Sequence, residues 1–131
     1  MTHQKKSILC IDDEPGILKS LERCLMLAGY DVLLAGGGLE GLAALEMRQG
    51  RVDLVLVDQR MPEMAGDEFL RQARARYGDV IAVMLSGYAD VGSLMHVITG
   101  GGIYRFVAKP WDNEELLTVI RSAMSIKRGG S

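Results

Sequence analysis

Apolar residues along this chain follow two alternating patterns. Short, nearly unbroken apolar runs occupy residues 7–11, 31–35, 53–57, 80–85 and 103–107, and predict five strands. Between them, apolar positions recur at helical spacing. Ile17, Leu18, Leu21, Leu25 and Ala28 mark a first helix, and Leu42, Ala43, Ala44, Leu45 and Met47 a second. Phe69, Leu70 and Ala73 mark a third, and Leu116, Leu117, Val119, Ile120, Ala123 and Met124 a fifth. Helix four, roughly 89–99, is the weakest: it contains Gly92 and the β-branched Val97, Ile98 and Thr99 before Gly100-Gly101-Gly102 breaks it. Pro15 suits a first helical turn, where its missing N–H is not needed, and Gly29 and Gly50 sit where helices one and two should stop. Asp112 is positioned to cap helix five, with Glu114 and Glu115 complementing its dipole.

Five βα units in succession predict an α/β fold, a parallel sheet with helices on both faces. Strands one and three, Ile8-Leu9-Cys10-Ile11 and Leu54-Val55-Leu56-Val57, are apolar at every position, as central strands buried on both sides should be. Strand two is also apolar, so periodicity alone does not place it in the sheet.

This reading turns scattered ionisable residues into one group. Asp12-Asp13, Asp58 and Lys109 each stand where an apolar strand ends, and in a parallel sheet those ends share one edge with a ligand crevice. Three carboxylates and one ammonium in a common pocket suit a divalent cation and a phosphoryl group. Carboxylates about 4 Å apart repel by about 4 kcal/mol per pair at an effective dielectric near 20. A hard cation relieves that repulsion, and Mg²⁺ needs only a few carboxylate and carbonyl oxygens because it keeps several waters.

Composition narrows the class further. With 131 residues, 48% hydrophobic and 24% charged, the chain has the content of one globular domain. A net charge of −2 offers no broad attraction for nucleic acid or an anionic membrane, and no apolar run approaches a bilayer span. A cytoplasmic protein is expected, with a tail at 1–6, one domain at 7–126 and a tail or linker stub at 127–131. Cys10 and Cys24 read as small buried hydrophobes, and His96 as a surface residue.

Four segments carry a family resemblance: Ile-Asp-Asp-Glu-Pro at 11–15, Val-Asp-Gln-Arg-Met-Pro-Glu-Met-Ala-Gly at 57–66, Leu-Ser-Gly at 85–87 and Phe-Val-Ala-Lys-Pro-Trp at 106–111. In this order the chain resembles a receiver domain of bacterial two-component response regulators. The resemblance implies a flavodoxin-like (βα)5 fold with strand order 2-1-3-4-5. It implies phosphorylation of Asp58 by a sensor histidine kinase, with Mg²⁺, or Mn²⁺ in its place, held by Asp12, Asp13, Asp58 and the backbone carbonyl of Arg60. Lys109 would contact the phosphoryl group, Ser86 would be the switch hydroxyl and Phe106 the switch aromatic. Family members commonly have Asp where this chain has Ala65, which bears on loop geometry rather than chemistry.

From these roles a switch follows. A phosphoryl group brings a charge near −2 and three acceptor oxygens, to one of which Ser86 can donate. Its movement would vacate space for Phe106, and an apolar ring is expected to lean inward even before phosphorylation. Helix four, strand five and helix five would form the readout surface for an output domain or effector, with a homodimer left open and no direct nucleic-acid or membrane contact. Pro110 is a candidate cis residue that would aim Lys109 inward. Arg60 and Tyr88 are expected over the pocket mouth, shielding the acyl phosphate from water.

Three rivals remain at this point. A haloacid-dehalogenase-like aspartyl-phosphate phosphatase would share the carboxylate nucleophile, but usually has an acid two residues further on, where Arg60 stands. A receiver used only for docking or dimerisation, without phosphorylation, would keep the fold alone. Lastly, Gly36-Gly37-Gly38-Leu39-Glu40-Gly41 satisfies the dinucleotide-binding spacing, but on the second βα turn rather than the first.

Overall fold

A computed structural model describes residues 5–87 and 103–126. The predicted helix four, Tyr88, His96 and the chain ends 1–4 and 127–131 lie outside the described residues. Five strands form one sheet: β1 (Ser7–Ile11), β2 (Asp31–Ala35), β3 (Leu54–Asp58), β4 (Ala82–Ser86) and β5 (Arg105–Ala108). They pair in parallel in the order β2-β1-β3-β4-β5. Helices α1 (Pro15–Leu27), α2 (Gly38–Met47) and α3 (Gly66–Tyr77) intervene, and a last helix (Asn113–Met124), the predicted helix five, follows β5.

Alternation along each strand sorts the core into two layers. Leu9, Ile11, Val55, Val57, Ala82 and Met84 face α2 and α3, where they meet Leu42, Leu45, Phe69, Leu70 and Ala73. Ile8, Cys10, Leu54, Leu56, Val83, Leu85 and Val107 face the other way, onto Leu21 and Leu25 of α1 and Leu116, Ile120 and Ala123 of the last helix. With both faces covered, β1, β3 and β4 are buried at every position, which is why their sequences show no polar alternation. Strand β2 lies at the sheet edge and is partly exposed.

The helix ends follow local chemistry. Pro15 opens α1, and Gly29 (φ 99°) and Gly50 (φ 77°) supply left-handed turns after α1 and α2. The Asp112 carboxylate accepts from the Glu115 N–H at 3.0 Å and caps the last helix.

Three strands differ in their bounds from the apolar runs. β3 includes Asp58 and leaves out Asp53, whose carboxylate accepts from the Ser7 N–H at 2.7 Å. Val80 and Ile81 precede β4, and Ile103 and Tyr104 precede β5. Val80 and Ile103 are buried all the same, at 2% and 6% exposed. Apolarity reports burial, and the core extends past the residues that pair in the ladder. Cys24 also departs from expectation. Unlike buried Cys10 it is half-exposed, lining a groove of about 590 Å³ with Ile17, Leu27, Pro110 and Trp111.

Candidate phosphoacceptor site

The register brings the predicted groups to one edge. Ile11 pairs beside Val57, Asp58 beside Leu85, and Ser86 beside Ala108, so β1, β3, β4 and β5 all end there. Main-chain bonds extend the alignment: the Lys109 N–H donates to the Ser86 carbonyl at 3.0 Å, and the Gln59 N–H to the Leu85 carbonyl at 3.2 Å.

At that edge Asp12 is fully buried, Asp58 is 5% exposed and Asp13 faces solvent. One oxygen from each of these carboxylates lies within 4.8 Å of the others. Lys109 completes the cluster, its Nζ standing 3.0 Å from Asp12 Oδ2 and 3.1 Å from Asp58 Oδ1. The other oxygen of Asp12 accepts from the Glu14 N–H at 2.9 Å, holding the turn into α1. The Lys109–Pro110 peptide is cis. Asp12, Asp13, Asp58 and Lys109 are thus brought together from the ends of β1, β3 and β5.

Ser86, at the end of β4, is buried with its hydroxyl donating to the Gly87 carbonyl at 3.2 Å, a long hydrogen bond. Phe106 is half-buried on the α2–α3 face, packed against the core layer of Leu9, Val57 and Met84. The Arg60 backbone N–H donates to the Asp58 carboxylate, while the Arg60 side chain is exposed.

The charges do not balance. Burial, reinforced by Asp12, pushes the Asp58 carboxyl above the ordinary carboxylate range, against the opposing pull of Lys109 and the Arg60 amide. For Lys109, burial acts to lower the ammonium's pKa, but hydrogen bonds to Asp12 and Asp58 outweigh it and raise the value. A proton held by folded Asp58 after the unfolded chain has released it makes stability fall as pH rises through that window. In Mg²⁺-free buffer, the melting temperature of the protein should therefore decline from pH 4 upward more steeply than that of Asp58→Asn; parallel profiles would contradict the assignment.

The oxygen donors fit a hard cation. Three carboxylates, two of them buried, with a single ammonium between two of them, leave negative charge that a divalent ion neutralises. The glycine-rich turn, by contrast, offers no phosphate cradle. Glu40 folds back so that its carboxylate accepts from the Gly36 N–H at 2.8 Å, placing an anion where a pyrophosphate would sit. Its glycines serve packing: a Cβ on Gly41 would lie 2.6 Å from Ile11 Cδ1, and one on Gly38 2.6 Å from Met64 Sδ.

The model of the response regulator receiver domain matches residues 8–121. This chain belongs to the receiver domain family. Its relatives include the hydrogenase transcriptional regulatory protein HoxA of Cupriavidus necator, 33% identical over 124 residues, 95% of this chain and 25% of that protein. The transcriptional regulatory protein GlrR of Escherichia coli is 32% identical over 124 residues, again 95% of this chain but 27% of its own length. This receiver domain thus spans about a quarter of those relatives. Among solved structures, a receiver domain protein from Clostridium thermocellum superposes with a TM-score of 0.84 at 28% identity, covering 91% of this chain and 94% of that one. The chemotaxis response regulator CheY4 of Vibrio cholerae gives 0.80 at 27%, covering 92% and 99%. The sheet order and the family agree, and the receiver domain is a two-component signalling module. Among the described residues, no helix is long and apolar enough to cross a membrane.

Two residues beside the site carried no signal in the strand and helix patterns. Gln59 and Asp67 exchange hydrogen bonds of 3.0 and 2.9 Å at the foot of α3. The available clue was Ala65, a residue without an acceptor at the start of a helix.

Proposed function

We propose that this receiver domain accepts a phosphoryl group from a sensor histidine kinase onto Asp58, in a Mg²⁺-dependent reaction. The observation that carries the reading is the pairing of Asp58 Oδ1 with Lys109 Nζ at 3.1 Å, inside a cluster that also gathers Asp12 and Asp13. An Asp58 oxygen attacks phosphorus, the bond from phosphorus to the kinase imidazole nitrogen breaks, and the imidazole leaves with its electron pair. Phosphoryl transfer depends mainly on positioning and charge stabilisation, which buried, mutually held side chains supply. Asp12, Asp13, Asp58 and the Arg60 carbonyl would hold the ion, with Mn²⁺ able to replace it. When bound, Mg²⁺ supplies positive charge against the phosphoryl oxygens.

Lys109 then shifts from Asp58 to a phosphoryl oxygen, as a mobile point charge can. Ser86 exchanges its 3.2 Å bond to Gly87 for a stronger one to the phosphoryl group. Phe106, already half-buried, follows into the space that Ser86 gives up. The altered surface of the predicted helix four, β5 and the last helix passes the signal to an output domain or effector, or to a second copy of the chain. No external substrate is turned over, the domain itself contacts neither nucleic acid nor membrane, and it works in the cytoplasm.

Incubation with acetyl phosphate and Mg²⁺ tests this by intact mass. The wild-type protein should gain one phosphoryl group, and Asp58→Asn or EDTA-treated protein none. A wild-type protein that stays unmodified, or an Asp58→Asn variant modified as fast, would refute the assignment.

A further inference from the structure

The start of α3 lacks a cap of its own. Ala65 occupies the N-cap position in an extended conformation (φ −71°, ψ 160°), and its methyl group accepts nothing. The first-turn N–H groups of a helix need acceptors from elsewhere. One is supplied by Gln59, whose Oε1 accepts from the Asp67 N–H at 2.9 Å while its Nε2 donates to Asp67 Oδ1 at 3.0 Å. The main chain of Gln59 is held as well: its N–H donates to Leu85 of β4, and its carbonyl accepts from the Gly66 N–H at 3.0 Å. Gly66 presses against the chain here, since a Cβ on it would lie 2.5 Å from the Asp58 carbonyl oxygen. Gln59 thus closes the base of the loop that runs from the phosphoacceptor to α3. Arg60 is the next residue, and its N–H already holds the Asp58 carboxylate.

We propose that Gln59, clasped to Asp67, is a positioning residue for the cation and phosphoryl site, replacing the helix cap that Ala65 does not provide. This rests on the reading of the site given above. The Gln59 carbonyl and the Arg60 N–H belong to one peptide unit, held at one end by Gly66 and at the other by the Asp58 carboxylate, and the clasp steadies this unit just before the Arg60 carbonyl assigned above to the cation. Partners of this kind, one step removed from a metal, typically change affinity by ten- to a hundredfold when lost.

The test is a MgCl₂ titration followed by the fluorescence of Trp111, the one tryptophan of the chain, with thermal melts of the same proteins. Gln59→Ala should bind Mg²⁺ at least about tenfold more weakly than wild type. Asp67→Ala should also weaken it, whereas Asp67→Asn, whose carbonyl still accepts from Gln59, should stay near wild type. Adding Ala65→Asp to Gln59→Ala gives α3 a local cap, and should restore the melting temperature without restoring affinity. Unchanged affinity in Gln59→Ala, recovery of affinity together with stability in the double variant, or equal losses in Asp67→Asn and Asp67→Ala would overturn the proposal. The last outcome would assign the effect to charge, and the Asp67 pair decides the matter if Gln59→Ala does not fold. A wild-type protein that binds no Mg²⁺ overturns the site reading as well; intact wild-type binding with unimpaired Gln59→Ala overturns this inference alone.

Discussion

Replacing Lys109 with methionine is expected to cost the Mg²⁺-free protein about 3–5 kcal/mol of folding stability, measured by urea denaturation. The lysine is the cation between two buried carboxylates, at 3.0 Å from Asp12 and 3.1 Å from Asp58. Methionine fills similar space but leaves both carboxylates without a counter-charge, holding only backbone N–H donors, in a site where water reaches neither freely. Coulomb repulsion between the two then acts unopposed, beside an Asp58 carboxyl that burial already makes harder to ionise. The loss should shrink in two ways. Asp58→Asn, introduced alongside Lys109→Met, should recover part of it, because residues in direct contact couple. Saturating Mg²⁺ should do the same, by replacing the missing charge. A variant as stable as wild type without Mg²⁺ would mean that solvent screens the cluster far more than its burial implies.

The reason this cluster was legible before any geometry lies in how parallel sheets are built. Runs such as Leu54-Val55-Leu56-Val57 carry no polar residue because helices cover both faces, so an acid directly after such a run stands at the sheet edge. Asp12, Asp58 and Lys109 could be grouped on that ground alone. Positions decided by side-chain reach were less accessible. Apolarity placed Val80 and Ile81 in a strand because both the core and the ladder select the same residues, and nothing local tells them apart. Cys24 lies on α1 one step beyond the covered stripe of Leu21 and Leu25, a rotation too small for sequence spacing to resolve. The Gln59–Asp67 clasp joins residues eight apart across a loop, a pairing that no helical or strand period encodes.

The site also sets function against stability, and Asp13 separates the two most cleanly. Asp12 holds both Lys109 and the α1 turn, and Asp58 holds Lys109, but the exposed Asp13 carboxylate makes no hydrogen bond among the described residues. Its presence adds negative charge beside two others without structural return. Asp13→Asn should therefore leave the Mg²⁺-free melting temperature unchanged or slightly higher. Its cost should fall on the chemistry. A bound cation contributes several kcal/mol to stabilising charge in such transfers, and each 1.4 kcal/mol is about tenfold in rate. Loss of one anionic ligand should thus slow phosphorylation by acetyl phosphate by about a hundredfold at sub-saturating Mg²⁺, with part of the loss recovered as Mg²⁺ is raised. Thermal melts with and without Mg²⁺ add an independent reading: the stabilisation that Mg²⁺ confers on wild type should be mostly absent in Asp13→Asn. If the variant instead melts lower without Mg²⁺ and gains as much from it as wild type, Asp13 is part of the scaffold, and the cation is held by Asp12 and Asp58 without it.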